Sequence, residues 1–236
     1  AFMTYKRFLK KINLSEADLE EIKVAVARAE DRTSGEIALA LAAESSSYAF
    51  WELFAAVCTV FGLSLCLFPL APQVYKIFST YFWGIQPWHL SAFFCVIVVL
   101  VVFALYLLYN IPFLDRQIIP LGARHHAVTN RAFRCFAQNG VYCTSNHCGI
   151  LVFLSFFERE VRIIADEGIS AKISQDMWNL IADEMAENLK DGHVKDAFLT
   201  VVDRCGSLLC EKFPSQGQKK NELSDGLMIL EGEKWA

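Results

Sequence analysis

The chain has 236 residues, of which 54% are hydrophobic and 20% charged, with 19 Phe and a formal net charge of −4. A nearly balanced charge without a long Lys/Arg block excludes a protein that tracks a phosphate backbone, so nucleic acid is not an expected partner. The apolar excess is too large for an ordinary soluble protein, and it concentrates between residues 50 and 110; the remaining roughly 170 residues suffice for one domain with a real core.

Lys6, Arg7, Lys10 and Lys11 near the start read as a solvated helix face or a lipid-headgroup contact. Because the first residues lead into this charged helix, no cleavable leader is expected. The run Leu14-Ser15-Glu16-Ala17-Asp18-Leu19 then carries a helix start, with Ser15 as cap and Asp18 as the short form of a capping box. Leu19, Ile22, Val26 and Ala29 recur at helical spacing, which predicts a helix to about Glu30 with one buried face. Thr33-Ser34-Gly35 breaks it. "EIALALAA" follows, alternating Ile37, Leu39 and Leu41 with alanines, the pattern of a strand with small residues on one face.

Two apolar runs come next. "FWELFAAVCTVFGLSLCLFPL" is about 20 residues, enough to cross a hydrocarbon core of about 30 Å. Its Glu52 would cost roughly 2.5 to 3.5 kcal/mol at mid-bilayer, so the span is expected to begin near Leu53, with Glu52 and Trp51 at the interface. "LSAFFCVIVVLVVFALYLLYN" carries no charge from Leu90 to Asn110. Between them, residues 71–89 hold Tyr75, Tyr81, Trp83 and Trp88 with Lys76 as the one basic residue, and read as an aromatic loop at the headgroups. Arg32 before the pair and Arg116 and Arg124 after it place both termini in the cytoplasm by the positive-inside rule. Of the eight cysteines, Cys58, Cys66 and Cys95 lie in the spans and the rest form no paired framework, which predicts free thiols.

After the spans the spacing predicts a helix over 128–139, ended by Asn139-Gly140, and then two strands. Ile150 to Phe157 is expected as a core strand covered on both faces and "VRIIA" as its partner, with Glu158 to Glu160 in a turn longer than two residues. A helix capped by Ser174 is expected to bury Met177, Ile181, Met185 and Leu189 and to stop at Lys190-Asp191-Gly192. A further helix buries Val194, Ala197, Phe198, Val201, Val202, Cys205, Leu208 and Leu209 and ends at Phe213-Pro214. In the polar tail "GLMIL" is the one candidate strand. Helices available to both faces of a small mixed sheet predict a three-layer α/β/α sandwich interrupted by a two-helix transmembrane hairpin. The domain halves are residues 1–50 and 111–226, the hairpin 51–110 with spans at about 53–70 and 90–109, and the tail 227–236.

Asp166 is the first candidate for chemistry. A carboxylate just past a strand's carboxyl end, before Gly168, is where open α/β sheets place ligand groups, and also where any strand becomes wet or caps a helix. With Glu167, Glu222 and Asp225 it could offer oxygen ligands to Ca²⁺ or Mg²⁺, although the order of a calcium loop is absent. Cys143, His147 and Cys148, with Cys135 nearby, make half a zinc site without the usual Cys-x-x-Cys pairs, and read as free thiols and a loop histidine. His125 and His126 point apart on a helix. No nucleophile elbow, dinucleotide fingerprint or Walker loop is present. Trp178 reads as a packing residue.

"EDRTSGEIALAL", "GILVFLSFFEREVRIIADEGI" followed by Trp178, "LCEKFP" and "NELSDG" together resemble the TPM-domain family, in its bacterial membrane-embedded branch. The resemblance implies an α/β/α sandwich in which the strand opened by Thr33-Ser34-Gly35-Glu36 joins the sheet of the second stretch, with the hairpin as an insertion. It implies a bacterial inner-membrane protein that serves the repair, assembly or trafficking of membrane complexes, with a LemA-like membrane protein as a plausible partner. Part of the family is associated with a calcium-linked acid phosphatase activity. The leading expectation is therefore a binding and assembly function, with self-association left open. The alternative is a metal-dependent acid phosphatase with Asp166 and Asp225 as ligands and Glu36 or Glu167 assisting, and a channel would need oligomerisation because the spans hold only Glu52.

Overall fold

The computed structural model describes residues 2–81, 86–109, 117–144, 147–215 and 222–230. It contains two compact units, one formed by residues 1–46 with 122–236 and the other by 47–121. Trp83, Asn110 and Arg116 lie outside the described residues.

In the first unit, helix α1 (Phe2–Lys11) leads to α2 (Glu16–Glu30). The Ser15 side chain accepts from the Asp18 N–H at 3.2 Å while Asp18 accepts from the Ser15 N–H at 2.9 Å, the reciprocal capping box expected from the sequence. The Ser15 donors hold the Asp18 carboxyl below its ordinary 3.8. A carboxyl lowered on folding stabilises above its unfolded value, so this contribution is present at neutral pH and fades as acid passes through the lowered value. Strand β1 (Glu36–Ala42) follows, entirely buried.

The described residues of the second unit are mainly helical. Helix α3 (Ala49–Leu67) breaks at the 3₁₀ turn Phe68–Leu70 and continues as α4 (Ala71–Tyr81), bent by 43° from it. The stretch 71–89, expected as a loop, is therefore largely helical. Pro69 removes a backbone donor and bends the path, and Pro72 then starts the new helix in its first turn, where no donor is needed. Helix α5 (Pro87–Tyr109) carries a window, Ser91–Leu108, long and apolar enough to cross a membrane. Phe94, Val96, Val99, Leu100, Phe103 and Leu107 on it are exposed, as are Phe54, Phe61 and Leu65 on α3. The Thr59 hydroxyl turns back to the Ala55 carbonyl at 2.8 Å, which removes a polar group from this apolar exterior. Glu52 is buried.

Returning to the first unit, α6 (Leu121–Gln138) begins earlier than its sequence pattern suggests, because its first turns carry the polar Arg124, His125 and His126. Strand β2 (Gly149–Ser155) pairs in parallel with β1 over seven residues, from Glu36 opposite Gly149 to Ala42 opposite Ser155. Strand β3 (Glu160–Ala165) returns antiparallel to β2. The strand expected to reach Phe157 ends at Ser155, because the Phe156 and Phe157 N–H groups donate to the Ala42 and Ala43 carbonyls at 2.9 and 3.0 Å and draw the chain toward β1. Glu160, expected in the turn, opens β3. A short helix α7 (Glu167–Ser170) precedes α8 (Gln175–Asn188) and α9 (Val194–Lys212). The final strand, β4 (Met228–Leu230), pairs in parallel with β1, so the domain extends into the segment expected as tail, and the sheet order is β3-β2-β1-β4.

The two faces of the sheet differ as the alternation of "EIALALA" predicts. Ile37, Leu39, Leu41, Ile150, Val152 and Leu154 pack against α2, α8 and α9. Ala38, Ala40 and Ala42 leave room for α6, whose Val128, Ala132 and Cys135 meet Leu151 and Phe153. Each fully buried Leu, Ile or Phe contributes about 1.5 to 3 kcal/mol of transfer free energy, which is why this sheet organises the domain. On α8 the buried stripe is Trp178, Ile181, Ala182 and Met185, and Met177, expected inside, is exposed. The bulky indole takes the core position and turns its neighbour outward. The β3 edge is guarded: Gln175 donates to the Ile163 carbonyl and Ser170 to the Ala165 carbonyl, both at 3.2 Å, which blocks edge pairing.

Candidate functional site

The sequence candidates converge on one end of the sheet. Glu36 opens β1, Gly149 opens β2 beside it, and Asp166 follows β3, its N–H donating to the Gly149 carbonyl at 2.9 Å. Because β3 runs antiparallel, the carboxyl end of β3 is the amino end of β1 and β2. Asp166 therefore does not lie in the crevice at the carboxyl ends of parallel strands that the rule for open α/β sheets describes.

Asp166 is a helix cap with a second partner. One carboxylate oxygen accepts from the Glu167 N–H at 2.8 Å, and the other lies 3.2 Å from His147 Nδ1. Only 8% of Asp166 is accessible, whereas His147 is exposed and sits at φ 49° in the left-handed region. When Nδ1 carries the proton it donates to the carboxylate, which fixes the ring and leaves Nε2 for exchange with solvent or ligand. His147 is thus the residue whose role the sequence did not reveal, since 19 positions separate it from Asp166. Asp166→Asn preserves an oxygen for the Glu167 N–H and is expected to change stability little. Asp166→Ala should cost about 1 kcal/mol, as cap removal typically does, read from the shift in unfolding midpoint.

Glu36 does not join this pair. It is buried, its N–H donates to the Cys148 carbonyl at 2.9 Å, and its carboxylate accepts from the Leu223 N–H at 3.3 Å, which ties the tail to β1. Between Glu36 and Asp166 stand the Gly149 backbone and the Val141 carbonyl packed over it. Two interstrand spacings amount to roughly 9 to 10 Å. Glu167 is exposed at the start of α7. Glu222 and Asp225 precede β4, on the sheet edge opposite β3, where Leu223 between them reaches Glu36. Among the described residues no three His, Cys, Asp or Glu side chains converge on a point where one metal ion could be held. Asp166, Glu222 and Asp225 are accordingly not brought together, and a shared Ca²⁺ or Mg²⁺ gains no geometric support.

The remaining candidates separate as well. Cys135 and Cys148 lie in the cores on opposite faces of the sheet, and Cys143 is exposed; all three are free thiols. Burial pushes the Cys205 thiol up to about 12, which makes it an inert core group. His125 Nδ1 lies 2.8 Å from Glu160, which also pairs with Arg162 at 2.5 Å. That cluster bridges α6 to β3.

At the carboxyl ends of β1 and β2 a second polar group is buried. The Ser45 and Ser155 hydroxyls are 2.6 Å apart, Ser155 donates to Glu158 at 2.5 Å, and the Ser45 N–H donates to the other Glu158 oxygen at 2.9 Å. Glu158, in the turn after β2, is 4% exposed. The network leaves no access for a ligand and clamps the segment after β1 to the turn after β2.

Residues 121–208 match the family model described as TPM domain. Over that range the chain is similar to a TPM domain. The matched range runs from α6 through most of α9, whereas β1 and β4, which complete the sheet, lie outside it. The chain completes the sheet of this range with β1, which precedes the second unit, and with β4. Its fold is similar to that of the BA42 protein from the psychrophilic bacterium Bizionia argentinensis, solved by NMR, with a TM-score of 0.53 and 16% identity over 92% of this chain and 94% of that one. A search of curated proteins finds no match.

Proposed function

We propose that the chain is a two-span inner-membrane protein whose TPM domain, held at the cytoplasmic face, binds another membrane protein and supports its assembly or maintenance. The observation that carries this reading is the seven-residue pairing of β1 with β2 across the apolar insert. Two halves that share a sheet must lie on one side of a bilayer, so an insert that crosses once must cross again. Helix α5 has the length and composition for one crossing, and α3, at 19 residues or about 28 Å, has the length for the other. Arg32 and Arg124 flank the insert on the domain side, which favours the cytoplasmic orientation.

Binding rather than catalysis suits a site end occupied by a capping Asp and a tail-holding Glu. It also suits α8, where Met177 and Leu180 are exposed one turn apart. A LemA-like membrane protein is the partner that the family resemblance suggests, and a second copy of the chain is the other. Affinity capture from membranes in mild detergent should recover an integral membrane protein in stoichiometric amount, and Leu180→Glu should reduce that recovery. A lone protein under several extraction conditions would contradict the proposal.

The His147–Asp166 pair favours one second reading, hydrolysis of phosphate monoesters, in which histidine would move the proton and the carboxylate would orient it. Purified protein should then release phosphate from 4-nitrophenyl phosphate, and Asp166→Asn and His147→Gln should each abolish that release. Equal rates in wild type and both variants remove the reading.

A further inference from the structure

We infer that the groove between α2 and α9 is a docking site for an acidic segment of a partner protein, taking a carboxylate on Arg28 and Arg32 and a neighbouring apolar side chain on the floor below. The inference rests on the binding role proposed above. The groove has a volume of about 420 Å³, within the range of about 300 to 1,000 Å³ in which ligand sites fall. Its floor is Ala25, Ala29, Leu199 and Val202, all buried or half-buried, and its rim is the exposed Arg28, Arg32 and Asp203. The helices touch where Gly206 faces Ala29: a Cβ at Gly206 would lie 2.8 Å from the Ala29 Cβ and 3.6 Å from Arg32 Nη2. The missing side chain lets the Arg32 guanidinium lie over α9, at the groove. The Arg32 backbone is also fixed to the end of α9. The Ser215 N–H donates to its carbonyl at 3.3 Å, and the Thr33 hydroxyl donates to the Phe213 carbonyl at 2.6 Å. A docked group therefore meets a cation whose main chain is already in place, which lowers the ordering cost of binding.

Charge selects the occupant. On α2 and α9 each basic side chain outside the groove already has a carboxylate: Lys23 lies 3.7 Å from Glu20, Lys195 3.1 Å from Glu21, Arg204 3.0 Å from Glu184 and Lys212 2.7 Å from Glu211. Arg28 has no such partner among the described residues. Arg32 reaches Asp203 at 3.8 Å with both side chains more than half exposed, a pair too solvated to hold it firmly. Two like charges one helical turn apart repel, and a carboxylate seated between them relieves that repulsion. The planar guanidinium fork matches a carboxylate in shape, and Arg is enriched at the anchors of protein interfaces. The layer around the groove is acidic, with Glu16, Glu20, Asp31, Asp176, Asp183 and Asp196 exposed. An anionic bilayer would be repelled by that surface, which favours a local protein contact over a lipid phosphate. A run of carboxylates would be repelled as well, so the fitting segment carries one Asp or Glu beside an apolar residue.

The test is site-directed photo-crosslinking of the full chain in the membranes of its native host. Benzoylphenylalanine replaces Leu199 on the floor, Asp203 on the rim, or Thr200, which is exposed outside the groove. Asp203 is a surface position, so its variant tests the groove even where the Leu199 variant fails to fold. Irradiation should give a protein adduct from positions 199 and 203 and none from 200, and peptide mapping should place the attachment next to an Asp or Glu. Arg28→Glu combined with Arg32→Glu should lower the adduct about tenfold with an unchanged unfolding midpoint, and Arg28→Lys combined with Arg32→Lys should keep most of it. No adduct from either groove position, an adduct indifferent to charge reversal, or attachment to lipid or to a second copy of the chain overturns the inference. Where capture in mild detergent still recovers an integral membrane protein, the binding role stands without this site; where capture fails too, both fall. An adduct to a soluble protein beside an acidic residue would keep the groove and overturn the membrane-protein role.

Discussion

Gly149→Ala is expected to lower the stability of the domain by about 3 kcal/mol or more, the upper range for forcing volume into a packed site. An added Cβ would stand 2.1 Å from the Val141 carbonyl oxygen and 2.9 Å from its Cγ1. The nearer obstacle is backbone, which cannot rotate away. Relief would require the turn Val141–Cys143 to lift from the amino end of β2, where it separates Glu36 from Asp166 and where the Cys148 carbonyl receives the Glu36 N–H. Chemical unfolding followed by circular dichroism in detergent would measure the loss. Gly140→Ala is a useful contrast, because its cost would come from its φ of 66° rather than from a collision.

The second large effect belongs to Glu158. Removing its carboxylate in Glu158→Ala leaves the Ser155 hydroxyl and the Ser45 N–H facing a buried void. Unsatisfied buried donors cost about 1 to 3 kcal/mol each, so a loss of about 3 kcal/mol is expected. Glu158→Gln keeps the volume and one acceptor oxygen and should cost about half as much. Both variants loosen the segment that joins β1 to the second unit, so hydrogen exchange at Ser45 should accelerate in step with the fall in global stability. Unchanged protection in Glu158→Ala would show that the network contributes nothing to that junction.

Much of the fold was legible because short-range physics specified it. Ser15 and Asp18 form the capping box their spacing announces, and the Ile/Ala alternation of β1 sorts itself onto two differently covered faces. The parallel pairing of β1 with β2 could not be read from periodicity, since Ile37 and its partner Ile150 are 113 positions apart; that the two strands share a sheet was implied by the family resemblance. Glu158 stands in the expected turn, but its burial was not legible, because Ser45, whose N–H its carboxylate accepts, comes from before the insert. Met177 points outward for a related reason: it fits the apolar stripe as its neighbour Trp178 does, and only the packed core decides that the indole, expected to pack, takes the inward position. His147 escaped notice as a partner for Asp166 because its left-handed backbone, not its spacing, turns it there.

The proposal turns on the insert crossing a bilayer twice and returning both halves of the α/β domain to the cytoplasmic face. Cys205 cannot report on this, being buried with its thiol pushed up to about 12, but Cys210 is partly exposed on the same helix. Spheroplasts expressing the chain would be treated with a membrane-impermeant maleimide before or after lysis, and modification at Cys210 read by mass spectrometry. The account predicts no modification in intact spheroplasts and extensive modification after lysis. Modification of Cys210 in intact spheroplasts would contradict it.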